Sequence, residues 1–483
     1  MRRIALLLGL ALLASCSGNG DDEAGEFADA VAVLAAENVI TADPALAGQP
    51  IELPQAFENT AWEQVGGNPS HAPRHLAAGG EYERVWRSRV VSSKAKGAPV
   101  TAPPVTDGER LFFIDAVGVV TAIDTATGDT AWRQDLAPGD TGDKVPFYNM
   151  IGRTKLRDIG FGGGSAVVGG RLFVTSGFGF VAALDAATGE LLWQTETNGP
   201  MRNPPSIADG MVYAVSISNE LYALDQETGR ERWTYQSFEE AARFLAASAP
   251  AVDGASVVVP FSSGEVVSLA SQNGRVQWQA VIARTSRLNA LSTLGDIAGS
   301  PVIDRGAVFA VSQSGQMVGI DARTGEVAWE QPVGGAHTPW VAGETIYVLS
   351  NQNTVAAVNR IDGAVRWNEE LPLYRNPKKR KKRIVWAGPV LAGNLLYLTS
   401  TDGELIGLSP QTGETLASYK LGDGATQPPI VAGGAIYVLL ENGQVEAFRP
   451  TAPAPVPALP EAPASDEPVE LESDAQPSEE EAL

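Results

Sequence analysis

The sequence contains one cysteine and three histidines in 483 residues. A single cysteine allows neither an internal disulfide nor a zinc site built on several cysteines. Basic side chains are also scarce, because 35 Lys and Arg stand against 57 Asp and Glu and give a formal net charge of −22. Nucleic-acid binding requires a surplus of positive charge on at least one face, so the composition disfavours DNA and RNA as partners.

The apolar run near the N-terminus, residues 4–14, is short and follows two arginines. It cannot cross the roughly 30 Å hydrocarbon core of a bilayer as a helix, so we predict a signal peptide over residues 1–15. Leu13-Ala14-Ser15-Cys16 resembles the lipobox of bacterial lipoproteins. The resemblance implies lipid attachment at Cys16, and several acyl chains would anchor the protein stably. The alternative is an ordinary secretory signal that happens to contain a cysteine.

Residues 16–26 are small, polar and acidic, as in a lipid-anchored tether. Ser17 follows the cysteine, whereas Asp at that position resembles an inner-membrane retention signal of enterobacteria. We therefore expect attachment to the outer membrane, on its periplasmic face. Residues 27–81 form an N-terminal arm, with a short helix possible over 27–40 and an extended, proline-punctuated stretch over 41–61. The sequence leaves open whether this arm packs on the rest of the chain.

The phrase Asp-x-x-Thr-Gly-x-x-x-Trp recurs along the chain. Four full copies begin at Asp124, Asp185, Asp225 and Asp321, and two shorter copies run from Gly274 to Trp278 and from Gly363 to Trp367. A last copy, at Gly413, has Ala417 where tryptophan would stand. The seven glycines lie 38 to 61 residues apart, which is the blade period of a β-propeller.

Each repeat contains four short apolar segments separated by turns. In the fifth repeat the predicted strands cover residues 300–303, 307–311, 316–321 and 326–329. The aspartate accepts hydrogen bonds from turn amides, the glycine adopts a positive φ without a Cβ clash, and the tryptophan offers a flat surface for packing between blades. A residue type needed once in every blade is therefore interpreted as structural rather than catalytic.

The two ends of the repeat array complete each other. Three strands after the seventh repeat, within residues 429–448, lack a fourth, whereas residues 82–90 form an outer strand with no blade before it. Pairing these segments removes open sheet edges. We predict an all-β fold, an eight-bladed β-propeller of four-stranded antiparallel blades over residues 82–449, closed by pairing the N-terminal outer strand with the C-terminal strands.

The repeats resemble the PQQ-type propeller repeat, and an eight-bladed array behind a lipobox resembles the BamB family, lipoproteins of the outer-membrane β-barrel assembly (BAM) complex. The resemblance covers nearly all of residues 60–449. It implies a non-enzymatic scaffold without cofactor or metal that binds the POTRA domains of BamA through propeller loops and assists the assembly of outer-membrane proteins, whose nascent chains are possible partners. The alternatives are a PQQ-dependent dehydrogenase and a general envelope scaffold.

In that family two neighbouring interblade loops contact the third POTRA domain of BamA. Phe244 stands near the family's apolar contact, and Leu245 replaces its basic residue, with Arg243 close by. Asp296 matches the first of two acidic contacts, and Ala298 replaces the second. The resemblance thus implies partner binding by Arg243, Phe244, Leu245 and Asp296. The alternative is that Phe244 and Leu245 only cover the top of a blade. The corresponding loops are residues 240–247 and 292–298.

The sequence contains few motifs that could support catalysis or the binding of a metal or cofactor. A calcium ion beside a quinone needs six to eight oxygen ligands, several from carboxylates, but the repeated aspartates belong to blade turns. His71 and His75 flank Pro73 in a loop-like context, which favours a solvated or loop-packing role over metal binding, and His337 is isolated. Residues 161–164 lack the lysine of a phosphate loop and indicate a close backbone approach. No residue is assigned to catalysis.

Two charged segments lie outside the repeat pattern. Residues 378–383 are six consecutive Lys and Arg in the loop before the seventh blade. They form either a solvated loop or a contact for anionic lipid headgroups or an acidic partner. Residues 450–483 form a C-terminal tail, of which 451–483 contain 7 Pro and 9 acidic residues but no Lys or Arg. This composition cannot bury a core and predicts disorder.

Overall fold

The computed structural model describes residues 40–46, 48–92, 102–137, 150–151, 154–155, 160, 163–201, 203–238, 248–282 and 297–451. The predicted signal peptide, the tether with Cys16, the start of the arm and the tail beyond Thr451 lie outside these ranges. The predicted partner residues Arg243, Phe244, Leu245 and Asp296 also fall outside the described residues.

The strands form eight four-stranded antiparallel sheets, which are the predicted eight blades. The first strands in chain order are β1 (Tyr82–Arg89), blade 1 with β2 (Val105–Thr106), β3 (Arg110–Ile114), β4 (Val119–Asp124) and β5 (Thr130–Asp135), a short ribbon of β6 (Met150–Ile151) and β7 (Thr154–Lys155), and blade 2 with β8 (Gly163–Val168), β9 (Arg171–Ser176), β10 (Phe180–Asp185) and β11 (Leu191–Glu196).

Blades 3 to 5 follow without interruption among the described strands. They comprise β12 (Ser206–Ala208), β13 (Met211–Val215), β14 (Glu220–Asp225) and β15 (Glu231–Gln236), then β16 (Ala251–Asp253), β17 (Ser256–Pro260), β18 (Glu265–Ala270) and β19 (Val276–Val281), then β20 (Val302–Asp304), β21 (Ala307–Val311), β22 (Met317–Asp321) and β23 (Val327–Gln331).

In the arm, Pro44–Leu46 form a 3₁₀ turn. The last three blades complete the ring. They comprise β24 (Trp340–Ala342), β25 (Thr345–Leu349), β26 (Thr354–Asn359) and β27 (Val365–Glu370) in blade 6, a hairpin of β28 (Tyr374–Asn376) and β29 (Lys381–Arg383), β30 (Trp386–Ala392), β31 (Leu395–Ser400), β32 (Glu404–Leu408) and β33 (Thr415–Lys420) in blade 7, and β34 (Ile430–Ala432), β35 (Ala435–Leu439) and β36 (Gln444–Pro450) in blade 8.

The core lies between neighbouring blades. In blade 2, β9 and β10 are buried almost throughout, whereas the outer strand β11 alternates between exposed and half-buried residues. Strands covered on both faces read as continuous apolar runs, and only the solvent-facing outer strand keeps a period of two. Phe112 and Val120 of blade 1 pack with Leu172 and Val174 of blade 2 in one such layer.

The repeated motif forms the joint between blades. Asp185 Oδ1 accepts hydrogen bonds from the backbone N–H groups of Ala187 and Thr188 at 2.9 and 2.8 Å, and these bonds lower its pKa. Gly189 has φ +78°, and a Cβ there would lie 2.6 Å from the ring of Trp132. Trp132 Nε1 donates to Ala186 O at 3.0 Å. The tryptophan of one blade thus covers the turn of the next blade.

The ring closes by the predicted pairing of its two chain ends. β1 pairs antiparallel with β36, and Tyr82 lies opposite Pro450. Glu446 of β36 is fully buried, and its carboxylate accepts hydrogen bonds from Arg84 and Arg87 of β1. Closing the ring leaves the eighth blade with four strands like the others and removes a free sheet edge.

Candidate interaction surface

The blade topology gives the propeller two different ends. Every inner strand begins where the preceding outer strand finishes, so all the connections between blades, such as residues 332–339 and 371–385, emerge at one end. We call this the loop end. The opposite end, the turn end, carries the tight turns between first and second strands and between third and fourth strands, such as residues 305–306 and 322–326.

The described part of the arm, residues 40–81, packs across the turn end. Between Asn59 and Leu76 it forms hydrogen bonds of 2.6 to 3.3 Å with the first strand of every blade, or with the residue just after it. The arm therefore covers the turn-end mouth of the central channel. The pairs are Trp62 with Thr106, Glu63 with Val167, Gln64 with Ile207, Pro69 with Val252, Ser70 with Ile303, Arg74 with Trp340, Leu76 with Leu391 and Gly393, and Asn59 with Val431 and Gly433.

Apolar packing also holds the arm on the turn end. Leu76 is fully buried, and Trp62 stacks on Trp340 with ring centroids 6.2 Å apart. The question that the sequence left open is answered for the described part of the arm, which is an integral layer of the fold. Single-copy contacts of this kind carry no periodic signal, which is why sequence reasoning missed them.

His71 and His75 lie in this layer, and their role is packing. His71 is buried, and its Nδ1 lies 2.7 Å from Pro301 O. Burial lowers the pKa of His71 to about 4, although the hydrogen bond to Pro301 acts in the opposite direction. His75 Nδ1 lies 2.8 Å from Pro54 O, and its Nε2 accepts the Asn394 N–H at 3.3 Å. The loop-packing interpretation is thus confirmed, and the solvated one is wrong.

Three arginines surround the buried carboxylate of Asp304 beside the arm. Asp304 accepts from Arg360 at 2.5 Å and from Arg305 at 3.0 Å, and Arg74 of the arm approaches it to 3.5 Å. Arg360 and Asp304 are both buried, whereas Arg305 also bonds the exposed Glu344 at 2.7 Å. A cavity of about 550 Å³ opens between these residues and the arm. Its nearby charges are balanced, and the cluster acts as a polar clamp between blades 5 and 6.

The residues that line the central channel show whether this chain could hold calcium with a quinone, as the dehydrogenase alternative requires. The eight first strands contain only two carboxylates, Asp253 and Asp304, both at the arm-covered end. Elsewhere the wall is tied by hydroxyl groups, as where Ser206 Oγ donates to Pro250 O at 2.6 Å and Ser248 Oγ to Gly299 O at 3.0 Å. Calcium with a quinone requires several converging carboxylates, so the residues described here do not fit that group.

Close backbone approach explains the glycines of β8. A Cβ at Gly163, with φ +82°, would lie 2.2 Å from Thr175 O, and one at Gly164 would lie 2.5 Å from Pro204. The predicted close approach is confirmed for these two residues, although they belong to a strand rather than to a loop. Residues 161 and 162 of that segment lie outside the described ranges.

The roots of the two predicted partner loops are adjacent at the loop end. Ser248, which follows the first loop, donates to Gly299 O, and Ala249 N donates to Ser300 Oγ at 2.9 Å. The strands that lead into these loops end on exposed apolar side chains. Phe238 after β15 is 75% exposed, and Val281 at the end of β19 is 64% exposed. Sequence reasoning did not single out either residue, because each continues an ordinary strand pattern.

The basic run also emerges at the loop end, but part of it is regular structure. It was expected in a loop, whereas Lys381–Arg383 form β29, which pairs with β28. Ile384 N donates to Leu373 O at 2.9 Å, and Trp386 Nε1 donates to Pro372 O at 3.1 Å. Arg383 Nη2 donates to Asn351 O at 3.0 Å. These bonds root the hairpin in blades 6 and 7.

Next to the hairpin a cavity of about 320 Å³ is lined by Asn351, Asn353, Arg383 and Trp386, with His337 at its wall. His337 Nε2 lies 3.1 Å from Trp386 O, and burial lowers the pKa of His337 to about 4. Throughout the described residues, no cluster of three or more His, Cys, Asp or Glu could hold a metal ion. The same residues include no helix long and apolar enough to cross a membrane.

Eight four-stranded blades, four of which carry the full Asp-x-x-Thr-Gly-x-x-x-Trp motif, define an eight-bladed propeller built from PQQ-like repeats. A family model described as "Outer membrane protein assembly factor BamB" matches residues 77–149, 116–369 and 375–451. The chain belongs to this BamB family.

Individual relatives agree with that assignment. The chain is 24% identical over 367 residues to an outer membrane protein assembly factor BamB of Moranella endobia, covering 76% of this chain and 90% of the relative. The crystal structure of BamB from Moraxella catarrhalis is similar with a TM-score of 0.61 and 20% identity, over 76% of this chain and all of the other. A quinohemoprotein alcohol dehydrogenase from Comamonas testosteroni gives a TM-score of 0.58 at 15% identity, over 83% and 82% of the two chains. At such identities the structural similarities show the fold alone.

Proposed function

We propose that this protein is a non-enzymatic scaffold lipoprotein of the BAM complex that binds the POTRA domains of BamA through the loop end of its propeller. Membership of the BamB family carries the proposal, since the matched model and relatives bear the name of an outer membrane protein assembly factor. The arrangement of the two ends supports the choice of surface. The chain's own arm occupies the turn end, so the loop end remains for a partner.

The proposed mechanism is passive. Rigid blades hold the described roots of the interblade loops in fixed positions, so the blades lose little conformational freedom when a partner binds. Exposed Phe238 and Val281 flank the loops that carry Arg243, Phe244, Leu245 and Asp296. An apolar centre with charged residues around it is the usual composition of a protein interface. Side-chain contacts from loops are favoured over strand addition, because the closed ring offers few free edges.

We infer that the protein acts at the periplasmic face of the outer membrane, anchored by acyl chains on Cys16. The lipobox-like sequence that ends in Cys16 supports this location, as does the family. Mass spectrometry of the purified protein tests the anchor directly. A mature N-terminus at an acylated Cys16 supports it, and an unmodified cysteine contradicts it.

Affinity purification from solubilised envelopes tests the proposed partner. Co-isolation of BamA with the wild-type chain supports the proposal, and its absence favours a general envelope scaffold. The double variant Phe244→Ala with Asp296→Ala should weaken capture of the POTRA segment. Ile361→Ala, at an exposed residue of the turn end, is the matched control and should leave capture unchanged. Equal capture by both variants would reject the residue assignment without touching the fold.

The dehydrogenase alternative has its own test, because quinoproteins are among the structurally similar proteins. Purified protein mixed with PQQ and calcium should not reduce an artificial electron acceptor. Calcium-dependent dye reduction would overturn the non-enzymatic proposal.

A further inference from the structure

The six side chains of residues 378–383 form the strongest concentration of charge on the described surface, and we call this segment the basic hairpin tip. All six residues are exposed. Within the described ranges no carboxylate lies at ion-pair distance from any of them, although Arg375 at the base of the same hairpin pairs with Asp402. Six neighbouring positive charges repel one another, so an acidic ligand would stabilise this segment.

The tip is held in place rather than trailing from the surface. Lys379 N donates to Asn376 Oδ1 at 3.1 Å, and Tyr374 lies opposite Arg383 across the hairpin. The bonds from Trp386 Nε1 to Pro372 O and from Arg383 Nη2 to Asn351 O fix the hairpin against blades 7 and 6. A fixed cluster of cations presents a preformed site for a polyanion, because little ordering of its own backbone is required.

The chain itself contains a matching polyanion. Residues 452–483 include nine acidic side chains, seven prolines and no Lys or Arg. The last described residue before them, Thr451, is tied to the turn end by its N–H, which donates to Glu81 O at 2.9 Å. β36 runs from the loop end to the turn end, so the tail starts on the side opposite the hairpin and close to the outer strand of blade 8.

The tail is long enough to reach the hairpin. A seven-residue strand such as β36 rises about 24 Å, which sets the scale of the blade height. A proline-rich chain extends about 3.1 Å per residue, so Glu461 can stand about 30 Å from Thr451 and Glu481 about 90 Å from it. The acidic residues from Glu461 onwards are therefore within reach of the tip.

We propose that the acidic tail, residues 452–483, docks intramolecularly on the basic hairpin tip and competes there with other anionic surfaces such as lipid headgroups. The covalent link raises the effective concentration of the tail at the tip to about the millimolar range. Binding is electrostatic, so it weakens as salt shortens the screening length to about 3 Å near 1 M. This inference is independent of the proposed BAM function.

Acetylation of lysines, followed residue by residue by mass spectrometry, tests the docking in the purified full-length protein. The rates for Lys378, Lys379, Lys381 and Lys382 are compared with those of a variant whose nine tail Asp and Glu are changed to Asn and Gln. Severalfold slower acetylation in the unaltered chain, lost at high salt, is expected. Lys420, exposed at the end of β33, is the internal control and should react equally in both proteins.

Three results would overturn the proposal. Equal tip rates in both proteins would show that the tail leaves the tip free, and equal protection of Lys420 would show unspecific shielding. The third result comes from adding phosphatidylglycerol vesicles, whose anionic headgroups compete with the tail for the tip. They should slow tip acetylation strongly in the tail variant and weakly in the unaltered chain. Equal slowing in both proteins would mean that lipid, and not the tail, is the ligand of the tip.

Discussion

The two ends of the propeller have the same eight blades behind them but differ in what covers them. The turn end is capped by the chain's own arm, with hydrogen bonds to every blade and a buried Asp304–Arg360 pair beside it. The loop end carries exposed Phe238 and Val281 and the exposed basic hairpin tip. The contrast supports a stabilising role for the turn end and, under the proposed function, partner binding at the loop end, and each role can be tested by substitution.

The largest effect is expected at the buried ion pair of the turn end. Asp304→Ala leaves Arg360 buried without its carboxylate, which should lower the free energy of unfolding by about 3–5 kcal/mol. Glu344→Ala removes an exposed partner of Arg305 and should cost less than about 1 kcal/mol. Denaturant unfolding of both variants provides the measurement. Similar losses in the two would mean that Asp304 is not a structural clamp.

The arm provides the next test. Leu76→Ala opens a cavity under the arm where the side chain is fully buried, and should lower the free energy of unfolding by about 2–5 kcal/mol. Phe57→Ala, in the same arm but 43% exposed, should cost clearly less. If neither substitution altered the unfolding midpoint, the arm would be a removable cover, and the turn end would become a second candidate for partner binding.

His71 makes the same layer sensitive to acid. Burial lowers its pKa to about 4 in the folded protein, whereas an unfolded histidine titrates near 6.5. Between these values the unfolded chain binds a proton that the native chain does not. Stability from this residue is therefore present above about pH 6.5 and lost as the pH falls towards 4, by about 3 kcal/mol.

The variant His71→Gln isolates this contribution. Its free energy of unfolding should depend less steeply on pH between about 4 and 6.5 than that of the wild type. Parallel pH profiles for the two proteins would show that the pKa of His71 is not lowered in the folded protein.

The sequence predicted the contacts between neighbouring blades but not the contacts of the arm with the turn end. The Asp-x-x-Thr-Gly turn and its tryptophan recur at a regular spacing, which predicted seven repeats. The incomplete strand sets at residues 82–90 and 429–448 then predicted the eighth blade and the closure of β1 on β36. The arm contacts are single and distant, as between Gln64 and Ile207, 143 residues apart. No pattern within the arm indicates which blade each residue meets, because the ring first has to close around it.

The interaction surface was predictable to a similar degree. Family resemblance placed two loops at neighbouring blades, and the structure brings their roots together at Ser248 and Gly299. The residues inside these loops remain predictions. Phe238 escaped notice because one apolar residue after an amphipathic strand is as compatible with burial as with exposure, and only the packed neighbours decide between them.

Phe238 therefore gives the sharpest test of the comparison, although its effect on the fold is the smallest. Since the side chain is 75% exposed, Phe238→Ala should change the free energy of unfolding by less than about 0.5 kcal/mol. Binding of the purified POTRA segment, measured by calorimetry, should weaken about tenfold if the ring is an apolar anchor of the interface. Ile361→Ala at the turn end, where the side chain is 69% exposed, should alter neither quantity. If Ile361→Ala weakened binding and Phe238→Ala did not, the roles of the two ends would have to be exchanged.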